Sequence, residues 1–147
     1  MARRLLVITP LLLLFPVSAQ AGTAGGKFQG LTSQGRAVVI KTDADDQVSR
    51  ISVRWKSACD EGGTLRTRTT ASAPYDSQNA TRVIERGSYT INDGDYKSRV
   101  TAVLRADRES ANRFSGTFKA SAVVRQNGRV VDRCDLGKIT FDAKRVG

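Results

Sequence analysis

The chain has 147 residues, with 24 Lys and Arg against 14 Asp and Glu, no histidine and two cysteines, for a formal net charge of +10 at pH 7. That length suits one domain with a real core, because a chain of about 150 residues buries roughly two thirds of the surface that its unfolded form exposes. The absence of histidine excludes imidazole general-base chemistry and His-ligated metal, and two thiols are too few for a Cys-rich zinc site.

The first 21 residues, MARRLLVITPLLLLFPVSAQA, place Arg3 and Arg4 before an apolar run from Leu5 to Val17 and close on Ala19-Gln20-Ala21. A charged start, a short apolar stretch and a small-x-small ending read as a signal peptide cleaved after Ala21. The run is shorter than the roughly 20 residues that spanning a bilayer takes. Cleavage leaves 147 − 21 = 126 residues and removes two arginines, so the charge falls from +10 to +8. Residues 22–27 read as a flexible leader and 28–147 as one domain with no membrane-spanning segment. Gly22 to Phe28 superficially suggests a phosphate loop, but Phe28 stands where the Ser or Thr of that motif is required.

From Phe28 onward the hydrophobic period is 2. Val38-Val39-Ile40 is followed by the turn Asp43 to Asp46. Ile51, Val53 and Trp55 then alternate with Ser52, Arg54 and Lys56. Val100, Ala102 and Leu104, then Phe114, Gly116 and Phe118, and finally Ile139, Phe141 and Ala143 repeat the pattern. Such alternation marks strands with one face on a core and one in water. Asn127-Gly128 is a strong hairpin signal, and Asn92 to Asp95 marks another turn. Ala71 to Ala80, rich in small and polar residues, reads as a long exposed loop, with Tyr75 as a possible anchor for a partner. The expectation is an all-β protein, an antiparallel β-sandwich or barrel of about eight or nine strands.

Export makes the two cysteines legible, since thiols in an oxidising compartment pair. A Cys59–Cys134 disulfide would close 134 − 59 + 1 = 76 residues and contribute roughly 4.5 kcal/mol in the chain-entropy model. Each cysteine begins the same word, Cys-Asp-x-Gly, at 59–62 and 134–137. The Asp can bond its own downstream backbone and the Gly permits positive φ, so both words read as turns that follow a strand and start the next.

Catalytic candidates are weak. Glu61, Glu85 and Glu109 lie in or near turns, and nothing in the sequence brings two carboxylates to the separation that glycoside hydrolysis needs. The acidic loops Asp43 to Asp46 and Asp93 to Asp95 match no calcium motif, so neither metal nor cofactor is expected. Asn79-Ala80-Thr81 fits the glycosylation sequon, which matters only in a eukaryotic host.

The informative feature is the arginines. Aligning Trp55 with Leu65 across the turn at Ala58 to Gly63 sets Arg54 opposite Arg66, with Arg68 farther along the same outer face and Lys56 beside them. Like charges across a ladder repel, which an anionic partner would relieve. The expected function is that of an exported, non-catalytic protein, extracellular or periplasmic, that binds an anionic envelope polymer or lipid headgroups through Arg54, Arg66, Arg68 and Lys56. The alternative is an inhibitor or protein-binding module working through the 71–80 loop and Tyr75. Export and the core phase of the aromatics argue against nucleic acid.

Phe28-Gln29-Gly30, Thr32-Ser33-Gln34-Gly35-Arg36 entering a strand, and the Cys-Asp-x-Gly words together resemble small exported β-sandwich proteins of unassigned function from high-GC bacteria. The Arg-over-Lys and Asp-over-Glu bias fits such genomes. The resemblance implies a compact β fold and transfers no catalytic residue.

Overall fold

The computed structural model describes residues 25–146, so the signal peptide of residues 1–21 and its cleavage point lie outside the described residues. The alternating sequence folds as nine strands: β1 Lys27–Thr32, β2 Ala37–Thr42, β3 Val48–Ala58, β4 Thr64–Ser72, β5 Ser77–Gln78, β6 Arg82–Asp93, β7 Tyr96–Ser110, β8 Arg113–Gln126 and β9 Arg129–Arg145. All belong to one antiparallel sheet in the order β4-β3-β2-β1-β9-β8-β7-β6-β5. Two meanders, β1 to β4 and β6 to β9, are therefore joined by pairing the first long-range partners in the chain, β1 and β9. Among the described residues there is no helix, and so none long and apolar enough to cross a membrane.

The sheet curls around its own apolar face. Phe28, Val38, Ile40, Ile51, Val53, Trp55, Val100, Phe114 and Phe118 are fully buried there, each in the phase its alternation predicts. Asn127 and Gly128, with φ of 48° and 79°, make the two-residue turn between β8 and β9. The F-x-G words at 28–30 and 114–116 sit on the two strands that flank β9, and the Phe28 and Phe114 rings meet edge to face at 4.8 Å. A side chain at Gly116 would overlap the Phe141 ring, which is why glycine occupies that inward position.

One end of the curl is capped by charge on aromatic faces. Asp46 receives Arg108 at 3.1 Å and Arg145 at 3.3 Å. The Arg108 guanidinium lies 4.6 Å from the Phe114 centroid and that of Arg145 lies 4.7 Å from Phe28. Burial pushes the Asp46 carboxyl up, but Arg108, the Thr42 hydroxyl and Arg145 together outweigh it, so its pKa is lowered. Asp107 is lowered in the same manner, with burial opposed by Arg105 and Arg82. A depressed carboxylate contributes stability that is complete above its unfolded pKa and is lost as pH falls through the folded one. Asp46→Asn should therefore destabilise the protein at pH 7 more than at pH 3. Urea midpoints at the two pH values check this, and an equal shift at both would show that the carboxylate charge is irrelevant to the cap.

The other end is held by the disulfide. The β1–β2 hairpin stops at Ser33 to Arg36, and beyond it β3 and β9 meet directly. Cys59 and Cys134 are bonded, and the Asp60 N–H donates to the Arg133 carbonyl at 2.9 Å. Gln34 extends the missing strand with its side chain: its amide donates to the Lys56 carbonyl at 2.8 Å and accepts from the Lys56 N–H at 3.1 Å.

Four expectations need correction. The second Cys-Asp-x-Gly word is not a turn between strands, since it lies inside β9. Pairing there jumps from Ala120↔Gly137 to Ser121↔Asp135, leaving Leu136 as a bulge beside Gly137 at φ 67°. The Asp135 carboxylate does bond its downstream backbone, accepting from Gly137 N–H at 2.8 Å, but the chain bends and goes on. Only the first word is a turn, with Gly62 at φ 87°. Second, the predicted 71–80 loop shrinks. Ala71 and Ser72 complete β4, and Ser77–Gln78 forms β5 on β6, leaving 73–76 as the connection. Third, the β3–β4 register differs by two residues. The loop is tight enough for Cys59 and Gly63 to bond, so Arg54 faces Arg68, Lys56 faces Arg66 and Trp55 faces Thr67. Fourth, Lys27 opens β1 and does not end a leader. The preceding Gly26 is buried and exchanges hydrogen bonds with Thr42.

Candidate functional site

The register correction moves every pair by an even step, so the arginines stay on the outer face. Arg54, Lys56, Arg66 and Arg68 all point away from the core and are exposed. Two like-charged pairs, Arg54 with Arg68 and Lys56 with Arg66, stand directly across the ladder. Adjacent pairs on an antiparallel ladder are two residues apart along the strand, about 7 Å.

The face is wider than the hairpin. Lys41 pairs with Arg50 across β2 and β3, and both line a shallow depression of about 480 Å³ with Arg54, Arg68, Val39 and Ser52. The Ser52 and Thr70 hydroxyls bond each other at 2.9 Å on the same face. A second depression of about 400 Å³ shares Arg54 and Arg68 and adds Arg36 and Arg66. Sequence reasoning missed Arg36, Lys41 and Arg50. The signal was present in the phase: Arg50, Ser52 and Arg54 are in step, and Lys41 lies across the Asp43 to Asp46 turn from Arg50.

The composition of these strands decides what the face can do. β1 to β4 carry Lys27, Lys41, Arg50, Arg54, Lys56, Arg66 and Arg68 and not one carboxylate. None of those seven takes part in a salt bridge among the described residues. The acids of this half sit in its turns, where Asp43 Oδ1 accepts from the Asp45 and Gln47 N–H groups and Asp46 serves the aromatic cap. The other half is mixed. Arg82 and Arg105 converge on Asp107 at 2.6 and 2.7 Å, and the Arg113 Nε donates to Asp142 at 2.7 Å. Basic side chains in β1 to β4 therefore have no carboxylate partner within salt-bridge distance among the described residues, and the like charges opposite one another on the ladder repel.

Tyr75 stands elsewhere. Its ring is half-buried against the core, and its hydroxyl is enclosed without a protein hydrogen-bond partner. Burial, and next the charge of Glu85, push its pKa up to about 12, against a smaller opposing effect of Arg50. A partner gripping this ring would first have to draw it from that packing. Glu85 accepts from the Asp76 N–H at 2.9 Å, and Asn79 Oδ1 accepts from Thr81 and Arg82, so both side chains serve the local backbone.

Compared with protein-family models, with curated proteins and with solved structures, the chain finds no match in any of the three. Function is read from the geometry alone.

Proposed function

We propose that this protein is an exported, non-catalytic β module that docks on an anionic component of the cell envelope through the outer face of β2 to β4. The observation that carries the reading is the segregation of charge: six cations on β2 to β4 without a carboxylate among them, on a surface broad and shallow enough for an extended ligand. Repeated phosphate or carboxylate groups would satisfy the Arg54–Arg68 and Lys56–Arg66 rows together, with bidentate guanidinium contacts fixing register. The disulfide is compatible with the oxidising compartment that such a role requires. Without histidine the chain has no imidazole base for turnover.

Retention of the oxidised protein on isolated envelope fractions should fall steeply with salt. Changing Arg54, Arg66 and Arg68 together to Ser should reduce the slope of log affinity against log salt by about 2 to 3, one released counterion for each lost contact. Anionic vesicles and soluble wall polymer, run side by side, separate a headgroup from a polymer as the source of the anion. Retention that is flat across the salt series, or a triple variant with the parent slope, would sink the proposal.

A further inference from the structure

The sheet has two free edges, and its curl turns them toward each other. β4 pairs only with β3, and beyond its short contact with β5, β6 pairs only with β7. Seven antiparallel ladders separate them around the sheet, so β4 and β6 run antiparallel across the gap. No ladder closes that seam among the described residues. It is spanned by the Tyr89 hydroxyl, which lies 2.7 Å from Thr69 Oγ1 and 3.5 Å from the Arg68 carbonyl.

The direction of the backbone groups follows from the ladder parity. Cys59 N–H donates to Gly63 O and Ala73 N–H to Ser49 O, so the odd residues of β4 direct their N–H and C=O to β3. The even ones, Arg66, Arg68 and Thr70, direct theirs into the seam. On the other side Arg108 N–H donates to Thr81 O, which leaves Ser88 and Thr90 of β6 facing the seam likewise. Between the edges a cleft of about 200 Å³ runs inward to a floor of Ile51, Ala102 and Leu104. Gly87 opens it: a Cβ there would meet nothing nearer than the Glu85 carboxylate at 3.9 Å. On the outer rim Arg66, Arg68 and Arg86 are in no salt bridge among the described residues.

We infer that this seam is a strand-addition site for an extended acidic peptide, with a small aliphatic residue facing inward over Gly87 and acidic residues outward between Arg66, Arg68 and Arg86. Backbone groups of Arg66, Thr70, Ser88 and Thr90 that no ladder pairs supply the hydrogen bonds, and the cleft selects the inward side chain. A second copy of β4 is the wrong occupant, because it would set Arg66 and Arg68 against their own like charges. An acidic strand converts that repulsion to attraction. The site shares Arg66 and Arg68 with the anion-binding face and is distinguished from it by Arg86, Gly87 and the β6 edge, while Lys41 and Arg50 take no part in it.

The test uses the oxidised protein and a synthetic, end-capped octapeptide of alternating Glu and Val. Fluorescence anisotropy should show saturable binding. An N-methylated version of the peptide and the Gly87→Val protein should each bind about tenfold more weakly, as expected for lost backbone bonds and a filled cleft, while Lys119→Ser, a charge lost from the exposed face of β8 away from the seam, keeps the parent affinity. Amide exchange at Ser88 and Thr90 should slow on binding, a readout that needs no variant. The inference is overturned by an absence of saturable binding up to millimolar peptide, by equal binding of a block peptide with four Glu followed by four Val, or by indifference to N-methylation. Any of these leaves the anion-binding face standing, because its own test runs on envelope polymer and vesicles and reads the salt slope of retention.

Discussion

Reduction of the Cys59–Cys134 bridge should lower the unfolding free energy by about 4 kcal/mol and the melting midpoint by roughly 10–20 °C. The two cysteines are 75 residues apart in sequence, so the cross-link removes a large loop from the unfolded ensemble. The folded state has little to hold that end otherwise. Past the β1–β2 hairpin, the end of β3 and its turn are joined to β9 by the cysteine bridge, the Asp60 N–H on the Arg133 carbonyl and the Glu61 N–H on Asp132 Oδ1. Opening should therefore begin there, with Asp60 and Glu61 amides exchanging first. Because Cys134 is buried, alanine is the better replacement than serine, and the Cys59→Ala, Cys134→Ala double variant should match the reduced protein. A midpoint that is unmoved in both would mean that the unfolded chain is not constrained by the bridge.

The parts of this fold that were legible are those set by local pattern. Inward phase at Ile51, Val53 and Trp55 follows from alternation alone, and Asn127-Gly128 announces its turn because few other pairs accept positive φ at both positions. The Cys59–Cys134 pairing followed from two thiols and a presumed oxidising compartment, and needed no geometry. What was not legible depended on partners distant in sequence. Cys-Asp-x-Gly is written alike at 59 and 134, yet one copy turns the chain and the other bulges within it, because β8 lies alongside the second and resumes pairing with β9 on both sides of Leu136. Tyr75 looked like an exposed loop residue because nothing nearby in sequence tells of the core it packs against. The cationic face was half visible: Arg54, Arg66 and Arg68 declared themselves in one hairpin. Arg50 and Lys41 joined them only once β2 was paired to β3, and the absence of carboxylates matters only when four strands are seen as one surface.

Replacement of Trp55 by Ala should cost about 3–5 kcal/mol, the usual range for deleting a buried aromatic, because the residue is fully enclosed and packs at 6.0 Å on the Phe118 ring. Its second role is directional. The indole N–H can only donate, and it donates to Thr69 Oγ1 at 2.9 Å. The Thr69 and Tyr89 hydroxyls bond each other at 2.7 Å, and the Tyr89 hydroxyl also reaches the Arg68 carbonyl at 3.5 Å. One relay therefore links β3, β4 and β6 across the seam that has no ladder. Trp55→Phe keeps much of the ring and removes the donor, so its loss should be smaller, about 1–2 kcal/mol. Tyr89→Phe interrupts the same relay from the far side. If the chain of hydroxyls couples the two edges, urea unfolding of Trp55→Phe, Tyr89→Phe and the double variant should show an interaction of at least about 0.5 kcal/mol, beyond what independent sites give. Strict additivity would reduce the relay to two separate hydrogen bonds, and the seam would then be held by packing around Ile51 and Leu104 alone.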